Sequence, residues 1–269
     1  MDLMVLAPHQ DDEILGAGGL IQICKSRGDS VRVVFATNGD RQGRGVARHR
    51  YDESRNALAR LGVPESNIYY FGYADTGMRP SHSFLLRLLH SPMDKPLTSP
   101  ISSTTYHPVD GRTVRNLRTG REGPLTKEMF LLDLAWCIAE CSPNLLLIPN
   151  RWDAHGDHAA LAALAEAAGV CAAVPTCLSF LIHGGDDLHW PPRASKPCEC
   201  PPLLPVEVWA SRVAVPLSIE QQRLKRQLIG TFLSQCPQEL NGFLYAFARK
   251  EEVFFPVPSS THEIDISVL

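Results

Sequence analysis

LAPHQDDEILGAGG, residues 6–19, joins an apolar run to a histidine, a glutamine and the acids Asp11, Asp12 and Glu13, then to Gly16, Gly18 and Gly19. Residues 3–8 are apolar and read as a buried strand. Residues 13–27 carry Ile14, Ala17, Ile21 and Cys24 at helical spacing and stop at Gly28-Asp29. The stretch is therefore a strand-to-helix turn, and the alternation continues outward from it. Residues 31–37 read as a second strand, 47–61 as a helix stopped by Gly62, and 68–73 as a third strand. Strand and helix in this order predict an α/β fold, a Rossmann-like, mostly parallel sheet with right-handed crossovers and helices on its faces.

Further along, residues 125–141 read as a helix, 145–149 as a buried strand, 157–169 as an Ala/Leu helix and 177–183 as a strand. Residues 206–215 look strand-like, 219–233 helical, and 253–255 a last short strand. Two stretches, 91–124 and 184–205, are rich in turn-forming residues and predict long loops at the carboxyl edge of the sheet. Residues 1–269 are expected to form one domain with these two insertions.

Hydrophobic residues make up 44% of the chain and charged ones 20%, which predicts a soluble protein with a sizeable core. The net charge of −3 gives no reason to expect nucleic acid or a membrane surface as partner. No apolar run approaches the ~20 residues of a membrane span. Asp2 leads directly into a strand-like run, with no signal-peptide pattern, so a cytoplasmic location is expected. Cys24, Cys137, Cys141 and Cys171 sit in apolar or helical contexts; Cys198-x-Cys200 lacks the second pair of a structural zinc site. With Cys177 and Cys236 they predict a reducing compartment and no disulfide framework.

Ligands in open parallel sheets bind beyond the carboxyl ends of strands, where His9, Asp11 and Asp12 fall. Three adjacent acids repel one another. A helix N-terminus offsets part of that, and a divalent cation offsets more. His9 and Asp12, three residues apart, make a workable bite for one ion, leaving Asp11 beside it. The plainer alternative is a helix capped by Asp11 or Asp12, with Glu13 a dipole partner in the first turn. Glycines 16, 18 and 19 do not fit a dinucleotide loop and suit close helix–sheet packing better.

PNRWDAHGDHAALAAL, from Pro149, repeats the arrangement: an apolar strand ends and His155, Asp157 and His158 appear before a helix. In a parallel sheet both clusters meet at one edge. His158 then supplies a third ligand, and three His/Asp ligands leave a fourth position open, the pattern of a catalytic site. Zinc is the default, and the same donors take Fe²⁺, Co²⁺ or Ni²⁺.

At these residues the chain resembles the PIG-L/LmbE-like family of zinc-dependent sugar N-deacetylases. The family's AHPDDE motif is matched by Pro8-His9-Gln10-Asp11-Asp12-Glu13, with Gln10 in place of Pro. Its HPDH motif is matched by His155-Gly156-Asp157-His158, with Gly156 in place of Pro. ATNGD from Ala36, RYDESRNALARLG from Arg50, YADTGM from Tyr73 and FLIHGGD from Phe180 resemble further family segments. So do KRQLIGTFLSQ from Lys225 and FLYAFARKEEVF from Phe243, and the last three are similar to the antibiotic-pathway branch. The resemblance implies His9, Asp12 and His158 on zinc and Asp11 as general base. It implies His155 beside the reacting carbonyl, with Asp157 oriented towards it. It also implies Arg50 and Asp75 on the sugar hydroxyls. The implied reaction is hydrolysis of the acetamide of an N-acetylglucosamine-type glycoside to amine and acetate, in secondary metabolism.

His183 ends a strand at the same edge, within reach of a ligand or as a second acid. Trp152, Trp190 and Tyr106 are candidates to stack on a sugar or to cover the core. Arg112, Arg115, Arg118 and Arg121 recur every third residue, as a solvated loop or as a lid over an anionic part of the substrate. A glycosyltransferase holding Mn²⁺ is a competing reading, weakened by the histidines, because Mn²⁺ and Mg²⁺ prefer oxygen ligands. A non-catalytic sugar-binding protein is another, and it needs no spare carboxylate beside the ion.

Overall fold

The computed structural model describes residues 1–185, 190–194, 196–235 and 241–257. β1 (Asp2–Ala7) is apolar on both sides because both of its faces are covered. Leu3, Val5 and Ala7 enter one hydrophobic layer, Met4 and Leu6 the other. β2 (Ser30–Thr37) pairs with it in parallel on one side and β4 (Leu145–Pro149) on the other. β3 (Ile68–Tyr73) continues outside β2 and β5 (Thr176–Phe180) outside β4, both in parallel. β7 (Glu251–Pro256) and β6 (Val213–Pro216) finish the sheet in antiparallel pairing, giving the order β3-β2-β1-β4-β5-β7-β6. The chain leaves β1 in one direction through β2 and in the other through β4. That is the switch point of an open sheet, where diverging loops leave a crevice at the carboxyl ends.

On the Leu3/Val5 face lie α1 (Asp12–Ser26), α2 (Arg44–Arg60) and α8 (Ile219–Ile229). On the Met4/Leu6 face lie α3 (Phe84–His90), α4 (Val114–Thr119), α5 (Lys127–Cys141) and α6 (Gly156–Ala167). Each fully buried Leu, Ile or Phe in these layers contributes about 1.5–3 kcal/mol of hydrophobic stabilisation. α1 packs close to the sheet, as its glycines suggest: a Cβ at Gly16 would lie 2.4 Å from the Phe180 ring. Glu252 of β7 accepts the N–H groups of Gly19 and Leu20, and buried Lys225 of α8 donates to Glu252 and to the Leu15 carbonyl. This buried pair ties α1 to the antiparallel edge.

The structure departs from the sequence-based expectation in several places. Residues 206–215 are not one strand. Val206–Ala210 is the short helix α7, and only Val213–Pro216 is β6. Pro205 opens the helix and Val206 is 70% exposed, so apolar character there does not signal a sheet. Residues 91–124 are not structureless: Thr113 caps α4, Gly120 ends it in the left-handed conformation, and Leu97 and Thr104 bridge to Leu125 and Pro124. The strand expected over 177–183 ends at Phe180, so Leu181–His183 bend out of the sheet. The last strand is longer than expected and antiparallel. All cysteines among the described residues are free; Cys236 lies outside them. Among the described residues no helix is long and apolar enough to cross a membrane.

Candidate metal centre

The turn after β1 is built under strain. Asp11 has φ 130° and ψ −32°, a sparsely populated positive-φ conformation that costs a side-chain-bearing residue about 1–3 kcal/mol. Gln10 anchors the turn by donating to the Thr37 carbonyl, and Thr37 donates back to the Pro8 carbonyl. The turn after β4 is relaxed. Asp153 accepts the N–H of His155, and His155, at the N-cap of α6, accepts the N–H of Asp157 on Nδ1.

The two turns meet. Nδ1 of His9 and Nε2 of His158 each lie 3.2 Å from Oδ2 of Asp12. Both rings are buried, and beyond its contact with Asp12, Nε2 of His158 has no hydrogen-bond partner among the described residues. Ligand atoms on a tetrahedron with ~2.0–2.1 Å bonds stand about 3.3 Å apart, and the two donor pairs that share Asp12 match that spacing. The rings of His9, His155 and His158 also converge, with nitrogens within 4.8 Å of one another.

Behind each of His9 and His158 stands a carboxylate. Asp157 lies 3.2 Å from Nε2 of His9, and Asp153 lies 3.1 Å from Nδ1 of His158. Such partners fix ring orientation and raise ligand basicity. Asp157 also accepts from Ser83 and from the Leu85 N–H, while Asp153 accepts from the N–H groups of Ile182 and His183. This corrects one expectation. The Asp157 carboxylate is turned to His9, not to His155; only its backbone N–H reaches His155, because at the helix start the side chain projects back towards β1. Asp153 was missed altogether. Its one sequence signal is an acid five residues before His158, just after the strand.

Charge follows from these contacts. Burial opposes a charge on Asp12, but His158 and His9 hold it well below the usual carboxylate range. Burial likewise opposes a charge on His158, and Asp12 and Asp153 overcome it and raise its pKa. For His9, burial is outweighed by Asp75, Asp12 and Asp157, which push it up to about 9. Asp11 is pushed up to about 7 by burial, against the pull of Arg50. His155, buried and surrounded by the other imidazoles, is held far below its ordinary range and stays neutral. Burial brings His183 down to about 4, with Asp153 opposing.

A cavity of about 310 Å³ opens over this cluster, and Asp11, Arg50, Asp75, His155, His183 and Phe243 are among its lining residues. Arg50 is already engaged: its Nη2 donates to the Gln10 carbonyl and to Asp11, and Nη1 lies 3.8 Å from Asp75. Gly39, with φ +62°, makes room for it, since a Cβ there would fall 2.8 Å from Arg50 Cδ. His183 reaches the cavity stacked on Phe243, with ring centroids 5.6 Å apart.

The aromatic candidates stay outside. Trp152 is exposed, Trp190 packs in a separate apolar cluster with Leu181 and Phe255, and Tyr106 donates to Asp40. The arginine lid is also corrected. Arg115 and Arg118 each donate to buried Asp133 at 2.8 Å, fastening α4 to α5, while Arg112 and Arg121 are exposed and away from the cavity.

Residues 4–169 match the PIG-L model, described as GlcNAc-PI de-N-acetylase. The chain belongs to this family. Its fold is that of solved deacetylases at low identity. The A40926 pseudoaglycone deacetylase Dbv21 is 17% identical, with a TM-score of 0.59, over 97% of this chain and 98% of that one. The zinc-inhibited form of teicoplanin deacetylase Orf2 is 17% identical, with a TM-score of 0.57, over 95% and 97%. The N,N'-diacetylchitobiose deacetylase from Pyrococcus horikoshii is 17% identical, with a TM-score of 0.58, over 98% and 86%. No curated protein sequence matches the chain.

Proposed function

We propose that this PIG-L family protein is a metal-dependent N-deacetylase. In this reading it hydrolyses the acetamide of an N-acetylglucosamine-type glycoside to a free amine and acetate. The observation that carries the reading is the convergence of two buried imidazoles on one carboxylate: Nε2 of His158 and Nδ1 of His9 each stand 3.2 Å from Oδ2 of Asp12. His9, Asp12 and His158 would hold the cation, with Asp157 and Asp153 bracing the two imidazoles. Zinc, or another divalent transition metal, supplies Lewis acidity that polarises the amide carbonyl and makes water nucleophilic near neutral pH.

The other groups divide the proton work. Asp11, beside the ligands and held by Arg50, takes the proton from the attacking water. His155 accepts a backbone N–H on Nδ1, so its neutral ring carries the proton on Nε2. That N–H is available to donate to the oxyanion as the carbonyl carbon becomes tetrahedral. The proton on Asp11 then passes to the departing nitrogen, giving the amine and acetate. Arg50 and Asp75, which line the cavity, would meet the sugar hydroxyls, with His183 and Phe243 also in its lining. The cavity volume is at the low end of the ~300–1,000 Å³ of small-molecule sites, which suits one sugar unit with its aglycone outside. We assign it to secondary metabolism, on the resemblance of the segments from Phe180, Lys225 and Phe243 to the antibiotic-pathway branch.

Incubation with N-acetylglucosamine glycosides, with and without chelator, tests this. Acetate release abolished by chelator and restored by Zn²⁺ is expected. Nucleotide release from a nucleotide-sugar, or binding without turnover, would overturn it.

A further inference from the structure

Glu13 belongs to the acidic run, and its plain role is that of a helix-dipole partner. The structure places it elsewhere. Its side chain is fully buried between α1 and α2, where Oε1 accepts from Ser54 Oγ at 2.7 Å and Oε2 accepts the Asp11 N–H at 2.9 Å. The other edge of that same peptide, the Gln10 carbonyl, accepts from Arg50 at 2.9 Å. The Gln10–Asp11 peptide plane is therefore gripped on both sides, and its orientation sets φ of Asp11. The Asp11 carbonyl is fixed separately, by the N–H groups of Ile14 and Leu15 in the first turn of α1. Without the grip on its N–H, a non-glycine residue at φ 130° would relax to negative φ. The relaxation would swing the carboxylate away from Arg50.

We propose that Glu13, backed by Ser54, is a positioning residue. It holds the Gln10–Asp11 peptide in the one orientation that sets the Asp11 carboxylate beside the metal ligands. The role rests on the reading of Asp11 as general base, and it is separable from that reading because the backbone angle can be measured directly. The design is economical in sequence. One acid of the run binds the ion, one stands beside it as base, and the third locks the base from behind.

Glu13→Gln and Glu13→Met separate the roles. The amide of Gln accepts the Asp11 N–H with its oxygen and donates to Ser54 with its nitrogen, so it rescues the grip without a charge. Met fills the space and offers no acceptor. In crystal structures, Asp11 is expected to keep its positive φ in the wild type and in Glu13→Gln, and to relax in Glu13→Met. Acetate release by Glu13→Met is expected to fall about 10²-fold in kcat, the scale of a 1 Å misplacement, with KM and metal content unchanged. Combined with Asp11→Asn, it should cost less than about twofold more, because both act on one group. Ser54→Ala, which leaves Glu13 in place and is the milder change if Glu13→Met does not fold, should cost about tenfold in kcat. The idea fails if Asp11 keeps its positive φ in Glu13→Met, or if Gln is as damaging as Met. It also fails if Ser54→Ala changes neither φ nor kcat. A wild-type chain that releases no acetate would remove the deacetylase reading, while the φ comparison would still decide this one.

Discussion

The turn after β1 and the turn after β4 deliver the same letters, histidine and aspartate, to one point, but hold them by opposite means. The first is strained: Asp11 sits at φ 130° and is kept there by Glu13, Arg50 and the helix behind it. The second is relaxed: Asp153 and His155 cap a regular helix through ordinary backbone hydrogen bonds. The difference matches the work proposed for each. A metal ligand needs direction, which a helix start and a bracing carboxylate provide. A base must stand beside the ion without binding it, and the role proposed for the unusual backbone angle is to hold its carboxylate there against Arg50. The turns are also interlocked, since Asp157 from the second braces His9 of the first.

Changes in the two turns should therefore fail differently. His158→Ala, which removes the donor at the meeting point, is expected to abolish metal binding and acetate release together, as read by metal analysis of the purified protein. Asp11→Asn should keep its metal and lose about 10²–10⁴-fold in kcat, the usual contribution of a positioned base; undiminished turnover would end its assignment. His155→Ala should lose about 10²–10³-fold, also with metal retained. Next come the braces. Asp157→Asn and Asp153→Asn should each weaken metal affinity about 10–100-fold in chelator competition, and equal effects would show that the turns share the ion evenly. Smallest for function are the loop arginines. Arg121→Gln should shift stability by no more than about 0.5 kcal/mol and leave KM alone. Arg115→Ala leaves Asp133 buried with only Arg118 and should cost about 3 kcal/mol in denaturant unfolding, the low end for a broken buried pair.

Local pattern carried the parallel half of the sheet. Strands β1 to β5 appear as short, predominantly apolar runs between helices of clear period, as strands covered on both faces do. The antiparallel edge was harder, because β6 buries only Val213 and Val215, and the neighbouring Val206 and Val208 of α7 offer a similar pattern. In the site, His9, Asp12 and His158 stood out as unlike residues at the ends of apolar strands. Asp153 did not, because an acid in a turn before a helix is ordinary and only its contact with His158 gives it meaning. Arg115 and Arg118 misled for the converse reason: their spacing looks like an exposed basic loop until buried Asp133, in a helix farther along, is seen to pair with both.

Sequence alone determined that two acidic, histidine-bearing turns follow parallel strands, because strand and helix periods are local properties and place those turns at one edge. Only the tertiary structure decided which carboxylate faces which imidazole. Asp157 reaches His9 and not its neighbour His155, and Glu13 reaches back to the Asp11 backbone and not out to solvent. Those choices depend on side-chain direction across the β1–β4 junction, where partners come from segments more than a hundred residues apart or from the far side of a single turn, and no spacing along the chain encodes that direction.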